Sequence, residues 1–262
     1  MKELHDFFLK KGLDSHVYVT AVNDHSEPDK RIHFFSSQRD KQSHAFLSRL
    51  TGMQGYFSYF STQKLISEMD ELKPDIVMLH VLHSNCMNFP SLFAFLASKH
   101  IATVVVLHDC WYYTGHCCHY TSVGCDKWKK ECGKCPQIHQ WNKSWLFDTA
   151  HKCLRDKKKW FEAIPRLGVV GVSDWITGEA KKSILKDAAI IQRIYNWIDL
   201  ETFRPRNTVN LRKQLGVTEN EKVLLGVASA WSERKGLQEM LLAAKSIPYS
   251  NCVRIGKMPE DT

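Results

Sequence analysis

Asp75-Ile-Val-Met-Leu-His-Val81 and Ile101-Ala-Thr-Val-Val-Val-Leu107, with an apolar-faced stretch over 90–99 between them, decide how this chain folds. Each outer run is short, continuous and apolar, the pattern of a strand covered on both faces, and the segment between them repeats at helical spacing. Strand, helix and strand in that order make a βαβ unit and therefore a parallel sheet. Working outward, Asp148 can cap a helix running to 164, 168–172 reads as another buried strand, and Ser173 can cap a helix to 185. A strand follows over 188–195. Upstream, a helix over 3–11 stops at Gly12, strands fall at 16–20 and 32–35, and helices cover 42–50 and 62–72. Downstream, Asn196-Trp-Ile-Asp199 reads as a turn, 211–215 as a short helix, and 222–228, 237–246 and 252–255 as strand, helix and strand. The fold class is α/β, with one Rossmann-like domain over 1–200 and the opening of a second over 201–262.

Composition narrows the function classes. The 262 residues are 44% hydrophobic and 24% charged, ordinary values that exclude disorder, collagen and coiled coil. Apolar runs fall far short of the roughly 20 residues a membrane span needs, and Met1-Lys2-Glu3 does not open a signal core. A cytoplasmic protein is expected. The excess of 36 Lys and Arg over 28 Asp and Glu gives +8, compatible with nucleic acid, an anionic membrane surface or an anionic small substrate. Basic residues cluster only at Lys127, Lys129 and Lys130, over 155–159, and at Lys181 and Lys182, and most of them read as solvated helix faces. Because a doubly wound domain starts on a strand and this chain starts in a helix, truncation is expected at the C-terminus, where the second domain stops after its opening, and at the N-terminus, where the first strand is missing.

Three groups of residues carry candidate chemistry. His108 and Asp109 follow a buried parallel strand, and ligands of open α/β sheets bind beyond strand carboxyl ends. They read either as substrate-contacting or proton-handling groups or as strand-end side chains bonding loop backbone. Arg234, Lys235 and Gly236 sit between a strand and a helix start, where dipole and free amides favour an anion such as a diphosphate; solvated side chains are the plain alternative. Neither G-x-x-x-x-G-K-[ST] nor G-x-G-x-x-G is present. Nine cysteines cannot all pair, and five crowd between Cys117 and Cys135. Cys118, Cys125, Cys132 and Cys135 form a candidate structural zinc set, with free thiols and disulfides as the other readings.

Taken in order, several segments resemble the group 1, family 4 glycosyltransferases of GT-B fold. They are Asn196-Trp-Ile-Asp199, Phe203-Arg-Pro205, Leu211-Arg-Lys-Gln-Leu-Gly216 and Glu233-Arg-Lys-Gly236. Leu107-His-Asp-Cys-Trp111, Thr114-Gly-His-Cys117, Gly124-Cys-Asp-Lys-Trp128, Cys132-Gly-Lys-Cys-Pro136 and Val172-Ser-Asp-Trp175 are similar to the exopolysaccharide branch, of colanic-acid type. The resemblance implies retaining transfer of a sugar from a nucleotide-diphosphate donor to a saccharide or lipid-linked acceptor, with no cofactor required for catalysis. With a lipid-linked acceptor, the basic surface is expected to dock this cytoplasmic enzyme at the anionic inner membrane, and no nucleic-acid partner is expected. His108 would lie near the reacting sugar with Asp109 beside it. Lys235, Arg234 and Gly236 would hold the donor diphosphate, Ser173 would line the cleft, and Asn196 and Asp199 would shape the hinge. The chain departs from the family at Ser229, where an Arg is usual, and at Trp197, where the hinge usually has Gly. The family's downstream E-x7-E segment lies outside it.

Overall fold

The computed structural model describes residues 2–20, 29–248 and 250–258. The chain divides into two compact units, Met1–Asn196 and Trp197–Thr262, four residues before the division expected from the sequence.

In the first unit, α1 (Lys2–Lys10) leads into a parallel pair, β1 (Val17–Val19) and β2 (Ile32–Phe34). Helices α2 (Gln38–Thr51) and α3 (Tyr59–Leu72) follow. Ser37 starts α2 by accepting the Asp40 amide, and Gly52 at φ 73° ends it. A four-stranded parallel sheet then runs in the order β3 (Ile76–Leu79), β4 (Ala102–Leu107), β5 (Leu167–Gly171), β6 (Ile190–Arg193). Helix α4 (Phe89–Ser98) crosses over between β3 and β4, α5 (Ala150–Glu162) precedes β5, and α6 (Asp174–Ala180) follows it. The βαβ expectation for 75–107 therefore holds, with Leu79 beside Val105 in register. Val105, Leu107 and Val169 from the sheet, Leu92, Phe93 and Leu96 from α4 and Phe161 from α5 make one buried core. Helix α6 ends at Ala180, not 185, because 181–188 turns sharply, each turn closed by a backbone bond such as Ser183 N–H to Ala180 O.

Residues 108–149 contain neither strand nor α-helix, only three turns of 3-10 helix, yet they bury Trp111, Tyr113, Tyr120 and Trp128.

The second unit holds α7 (Val209–Gln214), β7 (Lys222–Ala230), α8 (Leu237–Ser246) and β8 (Ser250–Lys257), with β7 and β8 parallel. Trp231 and Leu237 are buried beside them. Among the described residues no helix is long and apolar enough to cross a membrane.

Candidate functional site

The carboxyl ends of β3 and β4 bring together four polar side chains. His80 follows the last residue of β3, and His108 and Asp109 follow the last of β4; His83 lies three residues beyond His80. Because both strands are apolar to their ends, these are the first side chains free to meet at the sheet edge. His80 Nδ1 stands 3.2 Å from His108 Nε2, and the two rings stack with centroids 5.5 Å apart. His83 Nε2 donates to Asp109 Oδ2 at 2.7 Å, while Asp109 Oδ1 accepts the Trp111 amide at 2.8 Å. Gln54 anchors the His83 carbonyl at 3.0 Å, and Tyr112 donates its hydroxyl to the His80 carbonyl.

His108 and Asp109 are neighbours in sequence but hydrogen-bond to different partners. Burial and the facing His108 push His80 down to about 4. Partial burial also lowers His108, against the pull of Asp109. Both rings are therefore neutral at pH 7, and one N–H is shared between them. His80 Nε2 is buried with no partner, and a bare ring nitrogen is cheaper to leave unpaired than a buried N–H. That places the shared proton on His80 Nδ1 and leaves the exposed His108 with its own N–H at Nδ1. Burial alone would raise the Asp109 carboxyl, but the His83 hydrogen bond and charge and the Trp111 amide outweigh it and hold Asp109 below the ordinary range.

Ser173 lies just past β5. Its Oγ accepts the Ile176 amide at 3.3 Å, capping α6 as expected, and its O–H remains free to donate. Arg234 and Lys235 occupy the exposed 3-10 turn after β7, and Gly236 takes the left-handed conformation (φ 72°, ψ 31°) that starts α8. Asn196 is exposed. Asp199 closes a turn, Oδ2 accepting from Thr202 at 2.6 Å and Oδ1 from the Glu201 amide at 2.9 Å. Those residues belong partly to each unit: His108, Asp109, Ser173 and Asn196 to the first, and Asp199, Arg234, Lys235 and Gly236 to the second.

The expected zinc set of Cys118, Cys125, Cys132 and Cys135 is not gathered. Among the described residues the one group of three or more possible metal donors within 4.8 Å is His83, Asp109 and Cys118. Cys118 Sγ stands 4.0 Å from His83 Nε2 and accepts from Asn142, so it faces the sheet edge. All nine cysteines are free thiols.

No family model matches the chain, and neither does any curated protein.

Sequence reasoning passed over His80, His83 and Lys157. His80 had a legible signal, since it ends its strand as His108 ends the next. His83 sits in a loop, and only the chain path carries it to Asp109. Lys157 stands in a run of basic residues that reads as solvated, yet it is 3% exposed. Its Nζ donates to the carbonyls of Trp111 at 2.5 Å and Thr114 at 2.9 Å and lies 3.4 Å from the Trp111 ring centre. Burial lowers it to about 8.

Proposed function

We propose that the chain is part of a retaining glycosyltransferase of GT-B type, related to the family 4 enzymes of surface-polysaccharide synthesis. It would move a sugar from a nucleotide-diphosphate donor to a saccharide or lipid-linked acceptor, in the cytoplasm and at the inner membrane surface. The observation that carries this reading is the group of His80, His83, His108 and Asp109 at the carboxyl edge of a parallel sheet, where open α/β sheets receive ligands. A neutral, solvent-facing His108 offers a hydrogen-bonding ring to a sugar hydroxyl without a competing positive charge. Lys235, exposed beside a helix start in the second unit, suits a diphosphate. The +8 net charge suits an anionic lipid surface.

Titration calorimetry with uridine and guanosine diphosphate sugars tests the donor role. Binding of one of them is expected, and Lys235→Ala should weaken it about tenfold, the cost of a charge-assisted hydrogen bond. His108→Ala should leave donor affinity within about twofold and lower sugar transfer or donor hydrolysis by about a hundredfold. Binding insensitive to Lys235 would count against the assignment.

A nucleic-acid-binding loop is the weaker reading, because two of its three lysines are engaged within the loop. Lys127 Nζ donates to the carbonyls of Gly133 and Lys134 at 3.0 Å each, and Lys129 pairs with Asp126 at 2.7 Å.

A further inference from the structure

An imidazole nitrogen, a carboxylate oxygen and a thiol sulfur meet at the carboxyl edge of the first unit's sheet. They belong to His83, Asp109 and Cys118, and one ligand atom of each lies within 4.8 Å of the other two. His83 Nε2 stands 2.7 Å from Asp109 Oδ2 and 4.0 Å from Cys118 Sγ. The hydrogen bond between His83 and Asp109 accounts for the shorter distance. It does not account for a buried thiol standing against the same ring nitrogen.

Each member of the trio is fixed by a further bond of its own. Asp109 Oδ1 accepts the Trp111 amide at 2.8 Å, which commits that oxygen and leaves Oδ2 to His83. Gln54, itself buried, holds the His83 carbonyl at 3.0 Å, and the His83 ring packs against Trp111 with centroids 5.6 Å apart. The Cys110 amide donates to the Cys118 carbonyl at 3.0 Å, tying that residue to the chain just past β4, and the Asn142 side-chain amide donates to Cys118 Sγ at 3.6 Å. Outer bonds of this kind orient metal ligands, and an N–H on sulfur favours its thiolate form.

Charge and exposure define what fits there. The Asp109 carboxylate and a Cys118 thiolate each bring one negative charge and a neutral His83 ring none, so a divalent cation would leave the trio neutral. Magnesium and calcium select oxygen ligands, whereas zinc takes imidazole, carboxylate and thiolate alike in a tetrahedron. Donors at about 2.0–2.3 Å from zinc stand about 3.3–3.6 Å from one another, so His83 and Asp109 must part, and His83 and Cys118 approach, by only about half an ångström each. Cys118 is 4% exposed, while the His83 and Asp109 side chains are 19% and 15% exposed, so the trio is closed on the sulfur side and reached by solvent on the other.

We propose that His83 Nε2, Asp109 Oδ2 and Cys118 Sγ bind one zinc ion, whose fourth position takes a water. On binding, the Cys118 thiol gives its proton to solvent, and the His83 proton moves from Nε2 to Nδ1, which frees the Nε2 lone pair for the ion. Burial pushes the Cys118 thiol up to about 12, so that proton leaves in exchange for the cation rather than before it. The ion ties the loop after β3 to the start of the 108–149 segment. The site does not rest on the sugar-transfer reading, and either can fail alone.

The experiment is zinc analysis on the full chain purified without added metal or chelator, followed by replacement with cobalt. About one zinc per chain is expected, and the cobalt form should show tetrahedral bands with the charge-transfer absorption of a single thiolate. Cys118→Ser and His83→Ala should each weaken zinc binding more than about tenfold, and Asn142→Ala, which removes only the amide on the sulfur, should weaken it about tenfold. Cys132→Ser and Cys135→Ser should keep both the metal and the spectrum. The cobalt spectrum of the unaltered chain counts thiolates without any variant, so misfolding of one substituted chain would not spoil the test. A folded chain holding less than about one zinc in ten molecules would overturn the proposal. So would a spectrum of four thiolates, or metal that survives Cys118→Ser and His83→Ala unchanged.

Discussion

His44 shows how a single side chain sets an acid limit on stability. It is 1% exposed, its Nε2 accepts the Gly55 amide at 3.2 Å, and its Nδ1 meets Ser58 Oγ at 2.8 Å. Because Nε2 accepts, the neutral ring must carry its proton on Nδ1 and donate to Ser58. Burial lowers its proton affinity to about 4, against Asp40, which works in the other direction. The unfolded chain binds this proton near pH 6.5, so between about 6.5 and 4 the unfolded state holds more protons than the folded one. Stability is therefore complete above that window and is lost as pH falls through it, by up to about 3 kcal/mol from this residue. Urea midpoints at pH 7.5 and 5 should show the fall, and His44→Asn should lower the pH 7.5 midpoint while flattening the slope. An unchanged slope would assign the acid sensitivity elsewhere. His80 and His108 differ in kind, since they meet at a surface where a ligand can come between or beside them, and His108 faces solvent.

The joint between β5 and α6 shows what the elements demand of their ends. A Cβ on Gly171 would lie 2.1 Å from Thr177 Oγ1 and 2.9 Å from that residue's backbone nitrogen, so the strand passes the helix at a distance only glycine allows. Gly171→Ala is expected to cost about 1–3 kcal/mol or more through forced movement of α6, read as a lowered thermal midpoint. Ser173→Ala should cost about 1 kcal/mol through loss of the cap on the Ile176 amide. A larger drop in nucleotide-sugar affinity than in stability would show that its free hydroxyl also contacts ligand. Helix α5 is the other instructive element. Its run of charged residues alternates sharply in environment, with Lys158 half exposed in an ion pair to Glu162 and Lys157 one residue earlier almost fully enclosed. Helical geometry alone separates them by about 100°, and packing against the 108–149 segment does the rest.

For the chain as a whole, the division at Asn196 and Trp197 is the main mechanical feature. From Gln192 to Leu211 every residue is exposed. Trypsin should therefore cut first after Arg206, since Pro205 blocks cleavage after Arg204, and leave a fragment close to the first unit; primary cuts before Asn196 would contradict the division. The second unit buries little besides Val217, Trp231 and Leu237, while Leu225 and Val227 of β7 and Ile255 of β8 are more than half exposed. A two-stranded sheet with one helix is marginal. Urea should accordingly unfold this unit first, reported by Trp231, with the first unit following in a separate transition.

Most of the architecture was legible in the linear pattern. Continuous apolar runs at 75–81, 101–107 and 168–172 became β3, β4 and β5; β4 and β5 are the buried central strands, whereas β3 lies at the sheet edge with Ile76 exposed and only Leu79 fully buried. Ser173 as a cap and Gly12 at positive φ follow from local backbone chemistry, which neighbours along the chain suffice to dictate. The site was legible in part. His108 and Asp109 were visible as polar residues ending a buried strand, but not that His80 takes the one and His83 the other, for those contacts span 28 and 26 residues. The cysteines show the same limit. Spacing marks them as a cluster, whereas that Cys118 lies against His83 and Asp109 at the sheet edge depends on the path of the whole chain. Lys157 reads as solvent-facing from its neighbours and lies buried because a loop more than forty residues earlier in its course folds over it. Periodicity reports which face of an element is apolar; which distant segment meets that face is settled only when the whole chain has packed.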